Sequence, residues 1–448
     1  MIDYKNIYFI GIGGIGMSAL ARMFKGQGIS VSGSDASESD VTKGLQDIGV
    51  QVNLQQIVEN IDQETDCVVY TTAIPDSNPE LMEARLRDIP IYTYAQMLGK
   101  VSSEFETVAV SGTHGKTTTT AMIASALHGS NKKPNVIVGS LLPEYKSNYI
   151  KGGEKEEMGD ILITEACEYK RSFLNLNPKH VVITNIEEDH LDYYNDLSDI
   201  QNAFMDLVYK TPEDGKIICD PSSKNLTPIV EKYPEKIIDY RNFIDKVPQL
   251  KVLGEHNRIN AAATLALVSV YSDNQGADDE LLDGAIKGLG NFKGTWRRLQ
   301  ARGENENRAL LYDDYAHHPE EIKAGVNALR ENFLDKKLVI FFQPHLYSRT
   351  KKLFNDFVTA FSEKDKTDQS KISELYLLPI YAAREPADSE ITSDKLAEEI
   401  SENVSFKVEA LPDFETAAKI ATEKDAEYVV VTMGAGDVYQ ILDLVKTR

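Results

Sequence analysis

Short runs of aliphatic and β-branched residues alternate with longer stretches of helical spacing from one end of the chain to the other. "NIYFIG", "DCVVYT", "TVAVSG", "DILITEA", "HVVITN", "ALLYDD", "KLVIFF", "ELYLLP" and "EYVVVTMG" are continuous apolar runs of strand length, most of them separated by about 10 to 20 residues with helical periodicity. A run that is apolar on both faces belongs in a sheet covered on both sides. The alternation therefore predicts an α/β fold of mostly parallel sheets between layers of helices. Two stretches break the pattern. Residues 143–160, "PEYKSNYIKGGEKEEMGD", are polar and read as an exposed loop. The glycine- and asparagine-rich middle of "WRRLQARGENENRALLYDD" reads as a hairpin turn ahead of a strand.

At 448 residues the chain exceeds what one core usually holds, so it is divided here into three domains. Residues 1–101 form a Rossmann-like domain that closes with the helix of "YAQMLGKVSSEFE". Residues 102–296 form a central domain of P-loop ATPase type, and residues 297–448 a second Rossmann-like α/β domain.

Charge and cysteine content narrow the partners. The chain has 48 basic and 70 acidic residues, a net charge of -22, which repels a phosphate backbone and argues against nucleic acid. Small anions remain candidates, because loop amides and a few placed cations hold them locally. Cys67, Cys167 and Cys219 are odd in number and form no C-x-x-C pair, which fits a reducing cytosol. No leader-like start and no apolar run near the ~18 residues of a membrane span is present, so a cytoplasmic location is expected.

Two glycine loops carry the candidate chemistry. In "YFIGIGGIGMSAL", Gly11, Gly13 and Gly16 match G-x-G-x-x-G between a strand and a helix, and Asp35 follows Gly16 by nineteen residues. That is a dinucleotide fingerprint: a tight turn, close backbone approach to a diphosphate, and a carboxylate for a ribose. A nicotinamide or flavin is consistent with the motif alone. The additional Gly14 leaves still less side chain above the diphosphate, and no hydride-transfer site is evident elsewhere.

The second loop, "VAVSGTHGKTTTT", resembles the Walker loop except that Val110 replaces its first glycine. Gly112, Thr113, His114 and Gly115 supply amides to wrap a phosphate. Lys116 neutralises β/γ oxygens, and the Thr117 hydroxyl, followed by Thr118, suits Mg²⁺. Parallel strands end on one edge, where "DILITEACE" places Glu165 as a further ligand of that ion and "HVVITNIEEDH" places His190 as a ligand of a second one. Glu168 and Asp189 read as solvated charges, and Cys167 has no sequence-adjacent histidine that would make it a nucleophile.

Together these segments resemble the Mur ligase family, the ATP-dependent amide ligases of bacterial cell-wall synthesis. "GEHNRINAAATLAL" is similar to that family's H-N-x-x-N-A segment and gives Asn257 and Asn260; "GTWRRLQ" gives its linker arginine as Arg298; "LYDDYAHHPEE" gives its aspartate as Asp314. The resemblance spans nearly the whole chain in order. Ala316 stands where relatives often have glycine, Leu346 where many have a basic residue, and "EACEYKRSF" replaces a more acidic version that begins with the same glutamate.

The resemblance implies that the first loop holds the diphosphate of UDP-N-acetylmuramate through Gly11, Gly13, Gly14, Gly16 and Asp35, and that the second holds ATP with Mg²⁺. It implies ligation of L-alanine through an acyl phosphate. Asn257 and Asn260 then border adenine, and Arg298 and Asp314 reach ATP. Tyr315, His317, His345 and Arg349 are the amino-acid-side candidates, while His318, followed by Pro319, reads as a helix start. A monomer or weak homodimer is expected. The rival readings are a recycling ligase that adds a tripeptide to the same UDP-sugar, a folate-type ligase, a dehydrogenase joined to an NTPase, and a nucleotide-switch binding protein.

Overall fold

The computed structural model describes residues 3–190, 193–272, 279–362, 372–383 and 385–447. The chain divides into two compact units, Met1–Lys251 with Arg258–Thr295, and Val252–Asn257 with Trp296–Arg448.

The first unit contains two sheets. Strands β1 (Asn6–Ile10), β2 (Ser30–Ser34), β3 (Gln51–Asn53), β4 (Cys67–Tyr70) and β5 (Ile91–Thr93) make a parallel sheet in the order β3-β2-β1-β4-β5. The order reverses beside β1, the strand that feeds the first glycine loop, which is where such sheets open a crevice. The second sheet comprises β6 (Glu106–Ser111), β7 (Asn135–Leu142), β8 (Ser147–Ile150), β9 (Ile161–Glu165), β10 (His180–Ile183), β11 (Ile217–Cys219) and β12 (Ile237–Asp239). Its order is β12-β11-β10-β6-β9-β7-β8, parallel except for the β7–β8 pair.

Strand β8 corrects the expectation that residues 143–160 form an exposed loop. Asn148 is fully buried, and its amide donates to the Ile15 carbonyl at 2.6 Å and to Ser18 Oγ at 2.8 Å. Tyr149 donates its hydroxyl to Asn135 Oδ1 at 2.8 Å. The polar side chains here are buried because their partners are a helix and a neighbouring strand rather than water. Through Asn148, β8 also ties the second sheet to the helix Ile15–Gly26 that leaves the first glycine loop.

The helix Lys116–Gly129, which leaves the second loop, crosses the helix Glu280–Asn291 at backbone contact. A Cβ on Gly288 would lie 2.2 Å from the Ser125 carbonyl oxygen, and one on Gly129 would lie 2.3 Å from that of Gly284. Ser125 Oγ donates to the Gly288 carbonyl at 3.0 Å, which fixes the crossing.

The second unit is one sheet of β13 (Gln300–Glu304), β14 (Leu310–Asp314), β15 (Lys337–Phe342), β16 (Ile372–Leu377), β17 (Lys407–Ala410) and β18 (Tyr428–Met433). Its order is β13-β14-β18-β15-β16-β17, with only the β13–β14 hairpin antiparallel. Alternate residues of β15 serve two cores: Leu338, Ile340 and Phe342 pack with Ile322, Phe357 and Phe361, and Val339 and Phe341 with Ala417, Ala421 and Ile441. Its unbroken apolar run is explained by that double burial. No helix among the described residues is long and apolar enough to cross a membrane.

The crossing of the two glycine-lined helices gives a stability prediction. Gly288→Ala inserts a methyl group where only backbone fits and should lower stability by about 1–3 kcal/mol, read as an earlier urea midpoint. Gly28→Ala, where nothing lies within 4 Å of the new Cβ but φ is +87°, separates backbone strain from crowding in the same assay.

Candidate functional site

The second glycine loop is built where three parallel strands end together. Val110 of β6 pairs with Glu165 of β9, and Ser111 with Ile183 of β10, so the turn after Ser111 is flanked by both strand ends. Gly112 (φ +134°) and Gly115 (φ +86°) adopt backbone that side chains disfavour. A Cβ would lie 2.0 Å from Thr184 Oγ1 at the first and 2.8 Å from Asn260 Oδ1 at the second, which places Asn260 against the loop. Asn185 pins the loop: its carbonyl accepts from the Thr113 amide at 3.1 Å and its Oδ1 from the His114 amide at 2.9 Å.

Lys116 opens the helix, and its Nζ donates to the carbonyls of Gly112 (2.5 Å) and Thr113 (3.0 Å) and to Glu168 Oε1 (3.0 Å). Burial works against the ammonium charge, but Glu168 outweighs it and holds the lysine pKa above its usual value. Glu168 is therefore not the solvated charge expected: its side chain is 3% exposed. Burial works against its ionised form as well, and Lys116 and His190 reverse the balance, so its pKa is lowered. Asp189 does remain partly exposed.

Of the three metal ligands expected, Thr117 and Glu165 meet, the Thr117 hydroxyl donating to Glu165 Oε2 at 3.0 Å. The other oxygen of Glu165 accepts from the Gly139 amide. His190 (φ +52°) lies against different carboxylates, its Nε2 3.6 Å from Glu168 Oε1 and 3.7 Å from Asp189 Oδ2. Glu168, Asp189 and His190 bring one ligand atom each within 4.8 Å of one another. A hydroxyl and carboxylates are hard oxygen donors, a set that fits Mg²⁺. Thr118 follows, half-buried on the first helical turn.

The first glycine loop uses an anion instead of a cation to hold its shape. Gly11 (φ +81°) and Ile12 donate their amides to the Ser34 carbonyl, and Gly13 donates its amide to Asp35 Oδ2 at 2.8 Å. Asp35, expected at a ribose, thus braces the loop. Gly14 caps the helix, and a Cβ on Gly16 would lie 2.5 Å from Cζ of Tyr94. A cavity of about 210 Å³ runs from Gly16 and Tyr94 to Glu165 and Cys167, with Leu98 and Phe173 among its apolar walls. Tyr94 was not anticipated from sequence, since no motif contains it.

In the second unit, adjacent arginines separate. Arg297 is buried, pairing with Asp313 at 3.0 Å and donating to the carbonyls of Gly436 and Gly434 at 2.6 and 2.5 Å. Arg298 keeps a partly exposed side chain, 5.1 Å over the Tyr315 ring and 3.7 Å from Glu321. Burial pushes the Asp314 carboxyl up to about 7, against the pull of Arg298. Asn257 donates its amide to the Leu253 carbonyl at 2.7 Å.

Tyr315, His317, His345 and Arg349 come together. Ring centroids of Tyr315 and His317 are 5.4 Å apart, those of His317 and His345 5.8 Å, and Arg349 Nη1 is 3.3 Å from His345 Nδ1. Tyr381, missed in the sequence, stacks on His345 at 5.6 Å through a bridge between their backbones. Burial, then His317 and Arg349, hold the His345 pKa down to about 4. Burial lowers that of His317 too, although Glu321 at 3.3 Å opposes it. His318 caps the helix Pro319–Asn332, as the following proline indicated.

Comparison with known proteins gives a consistent pattern along the chain. Family models described as the Mur ligase family catalytic domain, the Mur ligase middle domain, and the Mur ligase glutamate ligase domain match residues 6–106, 110–243 and 297–436. The UDP-N-acetylmuramate–L-alanine ligase of Clostridium kluyveri is 37% identical, over 99% of this chain and 98% of that one. Its counterpart in Clostridium novyi is 38% identical, over 98% and 96%. The crystal structure of UDP-N-acetylmuramate–alanine ligase from Thermotoga maritima superposes with a TM-score of 0.78 at 26% identity, covering 97% of each chain. A murein peptide ligase from Psychrobacter arcticus shares the fold, with a TM-score of 0.66 at 22% identity over 98% and 97%.

The depressed His345 pKa predicts an acid-sensitive second unit. The unfolded chain takes up a proton near 6.5 and the folded imidazole only near 4, so the unfolded state binds more protons between them. Stability should therefore fall as pH is lowered through that window. Denaturation at several pH values should show a shallower fall in His345→Gln, and an NMR titration should place the imidazole midpoint near 4.

Proposed function

The chain belongs to the Mur ligase family, and from that premise we propose that it joins L-alanine to the carboxylate of UDP-N-acetylmuramate as ATP is converted to ADP and phosphate, in the cytosol. The observation that carries the reading is the gathering of Lys116, Thr117 and Glu165 around one glycine loop, 37% identity to an L-alanine ligase over 99% of the chain lending it the substrates.

The chemistry explains why two phosphate-binding loops serve one reaction. A carboxylate and an amine at neutral pH form a salt, because the carboxylate has no leaving group. Transfer of the γ-phosphoryl of ATP to the carboxylate supplies one; the amine attacks the acyl phosphate, and phosphate departs as the amide forms. Catalysis then consists of neutralising phosphate charge and aligning the reactants.

Residue roles follow from this requirement. Lys116, held charged, offsets the charge of the transferring phosphoryl group, and Gly112, Thr113, His114, Gly115 and Thr118 line the phosphate chain. Thr117 and Glu165 would hold one Mg²⁺, and His190, which lies beside Glu168 and Asp189, would hold a second ion; bound there, the ions would offset phosphate charge. Asn257 and Asn260 are assigned to the adenine side, and Arg298 and Asp314 to ATP, on the family pattern. Gly11, Gly13, Gly14 and Gly16 present backbone to the UDP diphosphate, with Asp35 fixing their turn. Arg349 suits the α-carboxylate of the amino acid. Burial keeps the imidazoles of His317 and His345 neutral, so beside Arg349 they offer hydrogen bonds to the amino acid without adding charge.

Phosphate release from ATP with UDP-N-acetylmuramate tests the proposal, using L-alanine, L-alanyl-γ-D-glutamyl-diaminopimelate, or no amine. Release should require L-alanine; release with the tripeptide alone would make the protein a recycling ligase instead. Lys116→Met should reduce turnover by about a hundredfold or more. Arg349→Met should raise the KM for L-alanine about tenfold or more while leaving that for UDP-N-acetylmuramate unchanged.

A further inference from the structure

The substrate proposed above carries its diphosphate at one end and the reacting carboxylate at the other. The first loop suits one end and the Lys116–Glu165 neighbourhood the other, so the sugar must lie between them. One cavity joins Gly16 to Glu165, and at about 210 Å³ it is smaller than the ~300–1,000 Å³ typical of sites that enclose a whole ligand. It accommodates a part of a substrate.

Its walls are mainly apolar, with Ile15, Leu98 and Phe173 among them, so each polar atom there bears on orientation. Most are already committed. Glu165 accepts from Thr117 and Gly139, and Ser172 donates its hydroxyl to the Tyr169 carbonyl at 2.7 Å. The Tyr94 hydroxyl is different. It makes no hydrogen bond to any described residue, and it lies 2.8 Å from where a Cβ on Gly16 would stand, directly beside the start of the glycine-loop helix. The capping box of Thr93 and Gln96 fixes the helix Tyr94–Ser102, and therefore the base of the side chain.

We infer that Tyr94 is a substrate-binding residue whose hydroxyl hydrogen-bonds the sugar portion of the UDP-sugar, between its diphosphate and its carboxylate. The inference rests on the function proposed above. A phenol is protonated at neutral pH, so the hydroxyl is available as a donor. Glycine at 16 leaves the ring its place against the loop, which couples sugar recognition to the turn that receives the diphosphate.

Tyr94→Phe removes the hydroxyl and keeps the ring. The expected result is a KM for UDP-N-acetylmuramate raised about 3- to 10-fold, with the KM for ATP, the Mg²⁺ dependence and the melting temperature unchanged. Inhibition by UDP, which carries the diphosphate but no sugar, should be equal in wild type and variant. An unchanged KM in an active variant would overturn the inference. So would weakened UDP inhibition, which would mean that Tyr94 acts through the loop, or an altered Mg²⁺ dependence, which would mean that it acts through Glu165. Failure of the wild-type protein to turn over UDP-N-acetylmuramate with any amine would instead overturn the underlying reading, and this inference with it.

Discussion

The register of β9 and β10 against β6 governs the arrangement of the second loop. Parallel strands deliver their C-terminal residues to one edge, and here Val110 opposite Glu165 and Ser111 opposite Ile183 bring three chain segments within reach of four loop residues. A slip of one residue would turn Glu165 to the other face of the sheet and separate it from Thr117. The loop cannot adjust to such a slip, because Gly112 and Gly115 already sit against Thr184 and Asn260 with no space for a side chain. The register is fixed in turn by burial of both faces of these strands, so hydrophobic packing well away from the loop sets the distance between a hydroxyl and a carboxylate.

Charge completes what register begins, and the two loops use opposite signs. At the second, burial penalises both Lys116 and Glu168, and each is ionised because the other is. Such a pair adds little net stability, but removal of either member leaves a buried charge behind, so it specifies one conformation strongly. At the first loop a carboxylate on β2's exit, Asp35, accepts from the Gly13 amide and holds the turn open toward the helix start. On the roles proposed for them, the loop that grips a transferring phosphoryl group carries its own cation, and the loop that receives a diphosphate relies on backbone amides and a brace.

The nine apolar runs were legible because a continuous apolar run has few alternative uses, and all nine became strands, whereas β2, β17 and even the eight-residue β7 were not among them. The three-residue strands β3, β5, β11 and β12 were not, since three residues carry no period. β8 was hidden for another reason: its asparagine and tyrosine are satisfied inside the protein, so polarity gave the wrong environment. The site divides the same way. Glycines with a lysine and threonine announce themselves by spacing, and Arg349 with His345 only through the family resemblance. Glu168 was misread because its partner lies 52 residues away, and Tyr381 was missed because it meets His345 through a backbone bridge. What escaped was pairing across sequence, which one chain's pattern does not encode.

Arg297 and Arg298 show how that limit operates at a single peptide bond. Sequence presents two equivalent cations. In the fold, the guanidinium of Arg297 is spent on Asp313 and two glycine carbonyls while lying 4.6 Å over the Tyr439 ring and 5.2 Å over that of Tyr315. Its carbonyl accepts the Tyr315 amide at 2.6 Å. A planar fork with several donors is required for this, and a lysine, with one compact charge, could not replace it. Tyr315 is thereby held from backbone and ring at once, and Tyr315 in turn lies beside His317 and under Arg298. The buried arginine is thus the support on which the partly exposed one and the aromatic cluster are mounted, and the cluster's geometry depends on a residue that need touch no ligand.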